Sequence, residues 1–161
     1  MKKKILSISI LILMWTICSA FELVEINPLA KDAVSVNNLE SQEDYTIVEI
    51  LLNKYHKRIV EIDSKEYIEL YVPSAGTSQL KGNPQLPIIA RSVMIPPQAK
   101  MSIEILNYTY TEINGKVIPS KGSYEIPEDE NIEIPYTFSD VYESDAFFPE
   151  NIVELNDPYI L

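Results

Sequence analysis

The sequence predicts an all-β fold, an antiparallel β-sandwich or jelly-roll-like domain behind an N-terminal signal helix. Three observations lead there. Short runs of β-branched and aromatic residues recur along the chain in alternation with polar ones, the period-2 pattern of half-buried strands. Turn-forming residues separate these runs, with 11 prolines among 161 residues. No convincing amphipathic helix follows the N-terminus, the best short candidate lying within Ser139 to Ser144. Many short strands joined by proline-rich turns pack as antiparallel sheets rather than as alternating strand–helix units.

The first element is an export signal. Met1 to Ala20 has a basic start (Lys2, Lys3, Lys4), an apolar stretch from Ile5 to Cys18, and small residues Ser19 and Ala20 ahead of Phe21-Glu22. A bilayer-spanning helix needs about 20 apolar residues, and this run is shorter, so no stable membrane anchor is expected once the signal is removed. The bulky Ile17 argues against lipid attachment at Cys18. Cleavage is expected between Ala20 and Phe21, which places the chain outside the inner membrane.

Residues 21–44 read as a mobile leader. Asn27 to Asp44 mixes Asn, Ser, Glu and Gln with scattered apolar residues and shows neither helical nor strand periodicity, as expected of a mobile or poorly packed edge segment. Residues 45–161 form the β domain. Tyr45 to Leu52, Lys57 to Ile62 and Tyr67 to Val72 are three strands of a meander, with turns at Asn53-Lys54 and Asp63-Ser64-Lys65. Pro73 to Pro87 is a long connection. Ile88 to Ile95 is a strand closed by Pro96-Pro97, because proline fixes φ, removes a donor and biases its predecessor to extended geometry.

Pro96 to Lys100 then forms a hairpin into the alternating strand Met101 to Thr111, and Asn114-Gly115 turns the chain into Lys116 to Pro119. Ser123 to Pro135 is an acidic loop with a short strand at Asn131 to Ile134. Small extended pieces at Phe138 to Tyr142, Phe147 to Pro149 and Ile152 to Leu155 finish the chain. Tyr159-Ile160-Leu161 looks like half a strand, which suggests a C-terminally truncated domain.

Composition excludes several functions. The full chain carries 13 basic and 24 acidic residues; removal of Lys2, Lys3 and Lys4 leaves 10 against 24, a net charge of −14. That charge disfavours nucleic acid and anionic membranes as partners and favours a basic protein surface. The only cysteine, Cys18, leaves with the signal, so neither disulfides nor a thiolate nucleophile remain. His56, the single histidine, sits among lysines in Lys54-Tyr55-His56-Lys57-Arg58 and reads as a solvated turn residue rather than a base. Neither a calcium-loop spacing nor a phosphate-binding glycine loop is present, so no cofactor or metal is expected and no residue is assigned catalysis. The ten tyrosines fit half-buried strand positions better than a sugar platform.

One motif remains. Gly82-Asn83-Pro84-Gln85-Leu86-Pro87, an apolar strand ending at Ile95-Pro96, and the alternating strand Ser102 to Thr111 all lie behind the signal and ahead of Phe148-Pro149 and Val153-Glu154-Leu155. This arrangement resembles the propeptide of gingipain-like bacterial cysteine peptidases of clan CD, family C25. The resemblance marks Gly82, Pro84, Leu86, Pro87, Pro96, Phe148 and Pro149 as structural motif positions. It implies a β-sandwich prodomain, secreted or in the cell envelope of a bacterium. Such a domain assists folding of the C25-type catalytic domain and holds it inactive, while the enzyme's own cysteine and histidine lie elsewhere in the precursor. An exposed basic residue on a loop could enter a basic-preferring specificity pocket; Lys121 is the first candidate, followed by Arg91 and Lys116. The alternative is a stand-alone exported β-sandwich that binds glycans or a surface protein, and a third reading is a decayed remnant.

Overall fold

A computed structural model describes residues 20–94, 100–123 and 133–156. Among the described residues seven strands form: β1 (Glu22–Glu25), β2 (Val34–Ser41), β3 (Thr46–Leu52), β4 (Lys54–Ile62), β5 (Lys65–Tyr71), β6 (Gly76–Thr77) and β7 (Pro87–Ile88). All strand pairs are antiparallel, in one three-stranded sheet of order β1-β4-β5 and two ribbons, β2-β3 and β6-β7. The described residues are thus all-β, consistent with a β-sandwich-like domain. The only helical element among them is a 3₁₀ turn at Asp140–Glu143, inside the short helical stretch that the sequence suggests.

The β4-β5 hairpin closes as its turn residues predict. Asp63 and Ser64 take φ of 51° and 61°, the double left-handed pair of a two-residue turn whose twist matches the flanking strands. At Asn53 the expected meander fails. β3 runs into β4 with one residue between them, yet β3 pairs with β2, whereas β4 pairs with β1 and β5.

Asn53 is 2% exposed and takes the role of a clasp instead of a turn. Its side-chain Nδ2 donates to the Asp32 carbonyl at 3.1 Å and to Ser35 Oγ at 2.7 Å. Its backbone carbonyl accepts from the N–H groups of Ile26 (2.7 Å) and Asn27 (2.9 Å), and its own N–H donates to the Ala33 carbonyl at 2.8 Å. A buried amide is tolerated only when its polar atoms find partners, and here those partners hold the loop between β1 and β2. Asn27 to Asp44 accordingly contains β2, an edge strand whose outer six residues are exposed.

The hydrogen-bonded layer continues past β5 without regular strands. Ile68 N–H donates to the Lys116 carbonyl (2.8 Å) and Ile118 N–H to the Ile68 carbonyl (2.9 Å), so residues 116–118 extend the sheet beside β5. The core lies on this seam. Ile62, Tyr67 and Ile118 are buried together, with Val60, Tyr136 and Tyr142 packed around them. Phe138 caps the cluster, its ring 5.2 Å from Tyr67 and 5.1 Å from Tyr142, the latter edge-on.

Two further expectations are corrected. Of the strand predicted at Ile88 to Ile95, only Ile88 belongs to β7, and residues 89–94 carry no strand. Met101 to Thr111, predicted as an alternating strand, is exposed throughout and holds no strand. Alternation records a preference for pairing, but a strand also needs a neighbouring edge, and none lies beside this segment among the described residues. The extended pieces at 147–149 and 152–155 likewise carry no strand, as do residues 133 and 134. The signal segment up to residue 19, Pro96 to residue 99 of the expected hairpin, most of the acidic loop and Tyr159 to Leu161 lie outside the described residues.

Candidate functional site

The glycine–proline motif sits at a backbone crossing. Gly82 donates its N–H to the Ser120 carbonyl (2.9 Å) and accepts from Ser139 N–H (2.9 Å), which joins three distant segments. Its φ of +82° favours glycine, and a Cβ there would lie 3.3 Å from Ser139 N, where no flexible side chain can give way. Gln85 N–H donates to the Ile118 carbonyl (2.8 Å) and Ser120 N–H to the Asn83 carbonyl (2.7 Å), bridging Pro84 to buried Pro119. Prolines fit because the donors in this exchange come from the residues that follow them, Gln85 and Ser120.

Ser78 completes the frame. Its Oγ donates to the Pro84 carbonyl (2.8 Å) and accepts from Leu86 N–H (3.1 Å), while its N–H donates to the Leu86 carbonyl (2.8 Å). Pro87 stands opposite Thr77 in the β6-β7 ribbon. Gly82, Pro84, Leu86 and Pro87 are therefore brought together as a scaffold. Phe148 and Pro149 are half-buried and joined by a cis peptide bond, and Pro96 falls outside the described residues.

The three basic candidates occupy different settings. Lys116 and Lys121 bracket the segment containing buried Ile118, Pro119 and Ser120. Lys116 Nζ donates to the Tyr142 carbonyl at 2.9 Å, and Lys121 Nζ lies 4.3 Å above the ring of Tyr136. Gly122 follows with φ of +88° and donates its N–H to Ser120 Oγ (3.2 Å), which makes the Lys121 loop tight. Arg91 is exposed on the non-strand stretch after β7, its Nη1 donating to the neighbouring Ala90 carbonyl at 2.6 Å.

The tyrosines under this loop are held neutral. Burial, and secondarily Tyr67, pushes Tyr142 well above the ordinary phenol range, and its hydroxyl donates to the Val117 carbonyl at 2.8 Å. Burial also raises Tyr136, with the Glu69 charge adding to the effect and Arg58 opposing it.

A second cluster escapes sequence reading. His56 lies on the central strand between Leu23 and Tyr71, not in a solvated turn, because β1 pairs on its other side. Its ring is 6.4 Å from Phe21 and 5.8 Å from Tyr71. Arg58 bonds through Nε to Glu69 Oε2, with its guanidinium 4.6 Å over the Phe21 ring. An open, largely apolar cleft is lined by Phe21, His56, Tyr71 and their neighbours. Its three rings are inclined to one another at 45°, 53° and 89°, so they share no common plane. The residue that could have revealed this cluster is Arg58, two positions after His56 and so on the same face of β4.

Chemically, the arrangement offers pre-organised backbone and basic loops more than a reaction centre. No group of three or more His, Cys, Asp or Glu that could hold a metal forms among the described residues. No helix there is long and apolar enough to cross a membrane.

The chain is similar in sequence to known proteins. Gingipain R2 of Porphyromonas gingivalis (strain W83) is 38% identical over 82 residues, covering 50% of this chain and 11% of that protein. Gingipain R1 of Porphyromonas gingivalis is 38% identical over 82 residues, covering 50% of this chain and 8% of that protein. The chain therefore spans a small part of the length of these relatives, 11% and 8%. No solved structure matches. The model of the C25 propeptide family (Propeptide_C25) matches residues 28–161, and the chain belongs to that family, as the propeptide part of a C25 peptidase rather than its catalytic part.

Proposed function

We propose that this chain is an exported propeptide domain that serves as intramolecular chaperone and inhibitor of a C25-type cysteine endopeptidase, and is itself non-catalytic. The observation that carries the reading is the family match over residues 28–161. The crossing of residues 82–86 with 117–120 supports it. A surface held by backbone hydrogen bonds has little conformational freedom left to lose on docking, and rigid inhibitors bind tightly for that reason. Its partner is the catalytic domain of the same precursor. Lys121, on its tight loop, is the proposed basic residue for the enzyme's specificity pocket, with Arg91 and Lys116 as the other candidates.

The test is to add purified residues 21–161 to the separately produced catalytic domain of gingipain R2 and follow hydrolysis of a fluorogenic peptide. Saturable inhibition is expected, together with a higher yield when the denatured catalytic domain is refolded in its presence. Unchanged activity and unchanged refolding yield at high micromolar chain would overturn the proposal.

A further inference from the structure

The β2-β3 hairpin carries an apolar face that nothing in the described residues covers. Register places Val34, Val36 and Asn38 opposite Leu52, Ile50 and Val48, so these six side chains share one side of the ribbon. Five are apolar, and Val36, Val48, Ile50 and Leu52 are 38%, 40%, 47% and 38% exposed. β3 pairs only with β2, so both edges of the ribbon also stand free among the described residues. A lone two-stranded ribbon is marginally stable in water, and one with an open apolar face is the kind of surface that a partner protein covers.

Charge states what kind of partner. Residues 34–52 contain Glu40, Glu43, Asp44 and Glu49 and no lysine or arginine. The neighbouring β1-β4-β5 sheet, by contrast, balances its carboxylates with cations, as in Lys57–Glu22 at 3.4 Å and the Arg58–Glu69 pair. Glu40 is held in its charged form, its carboxyl lowered first by the hydrogen bond from the Tyr45 hydroxyl (2.5 Å) and then by Gln42. Glu43 and Asp44 sit at the hairpin's tip, and Glu40 and Glu49 lie on the side opposite the apolar strip, so the ribbon as a whole is acidic. Its field favours an apolar patch bordered by Lys and Arg and repels a second copy of itself.

We infer that the Val34–Val36–Val48–Ile50–Leu52 face of the β2-β3 hairpin docks on a basic-rimmed apolar patch of the peptidase catalytic domain, apart from the Lys121 loop. This rests on the propeptide reading above and adds a second contact to it. Such an anchor gives affinity from its apolar face and association rate from the negative charge of the hairpin that carries it.

The experiment compares the parent chain with Val48→Thr/Ile50→Thr, which keeps β-branched residues in the strand, and with Glu40→Gln/Glu43→Gln/Asp44→Asn/Glu49→Gln. The probe is the gingipain R2 catalytic domain, with binding followed by surface plasmon resonance at two salt concentrations. The threonine pair should weaken binding at least tenfold with its unfolding midpoint unchanged. The neutralised hairpin should slow association and lose most of the salt dependence. If the parent binds and both variants bind equally well, the hairpin is not the contact and the inference falls while the propeptide reading stands. If the parent does not bind, both fall. If the parent forms dimers that the threonine pair dissolves, the occupant is a second copy and the inference is overturned.

Discussion

β3 and β4 are consecutive in the chain, with Asn53 alone between them, yet they occupy opposite situations. β4 is the central strand of a sheet, flanked on both sides and ending in the buried Ile62. β3 has one neighbour, and Ile50, Leu51 and Leu52 at its end are all exposed. Both are rich in β-branched residues, so local propensity does not separate them. What differs is the supply of distant segments. β4-β5 receives residues 116–120 and 136–142, which bring Ile118, Tyr136 and Tyr142 over its face, whereas β2-β3 receives none among the described residues. Stability in such a chain is regional, and local opening should divide along this line.

The sharpest way to break the comparison is Ile118→Ala. Ile118 is 2% exposed at the centre of the seam, and truncating a side chain so placed costs about 3 kcal/mol. Urea unfolding should show that loss, and hydrogen exchange should accelerate in β4 and β5 much more than in β2 and β3. Equal acceleration in both regions would mean that they form one cooperative unit.

Gly82→Ala comes next, at about 2 kcal/mol, from a left-handed backbone disfavoured for residues with a Cβ plus the crowding against Ser139. Its effect should again fall on the core side. A loss below a few tenths would show that the crossing at Ser120 and Ser139 rearranges freely.

The smallest effect concerns alkaline pH. Tyr142 in the fold titrates above its unfolded value near pH 10. Its contribution is therefore complete below about pH 10 and is lost as pH rises from there toward the folded value, because the unfolded chain releases a proton that the folded chain retains. Tyr142→Phe removes the hydroxyl bond to Val117, costing about 1 kcal/mol at neutral pH, and should flatten the decline above pH 10. Parallel pH profiles for parent and variant would remove Tyr142 as the source.

The sequence made the core side legible and the hairpin side much less so. Asp63-Ser64 announces a tight turn because Asp tolerates a left-handed backbone better than most residues and both side chains favour turns. Gly82 to Pro87 announces a constrained crossing through its glycine and prolines, although Ser120 and Ser139, the partners at that crossing, have no local signature. β2 stayed hidden because Val34 to Ser41 is polar at five of its eight positions and becomes a strand only through its register with β3. Met101 to Thr111 misled in the opposite direction, with a clear alternation and no neighbour. His56 was misplaced because β1, the strand that covers it, lies within the segment read as a mobile leader.

Asn53 also governs how load would pass along the molecule. Strands of different sheets are commonly joined by loops that stretch before they transmit tension; here the connection is one residue with no slack. A pull on the hairpin, by a bound partner or by a protease drawing the chain away, would reach β4 directly through the backbone. The hydrogen bonds at Asp32, Ala33, Ser35, Ile26 and Asn27 would then act as the catch that yields before the sheet does.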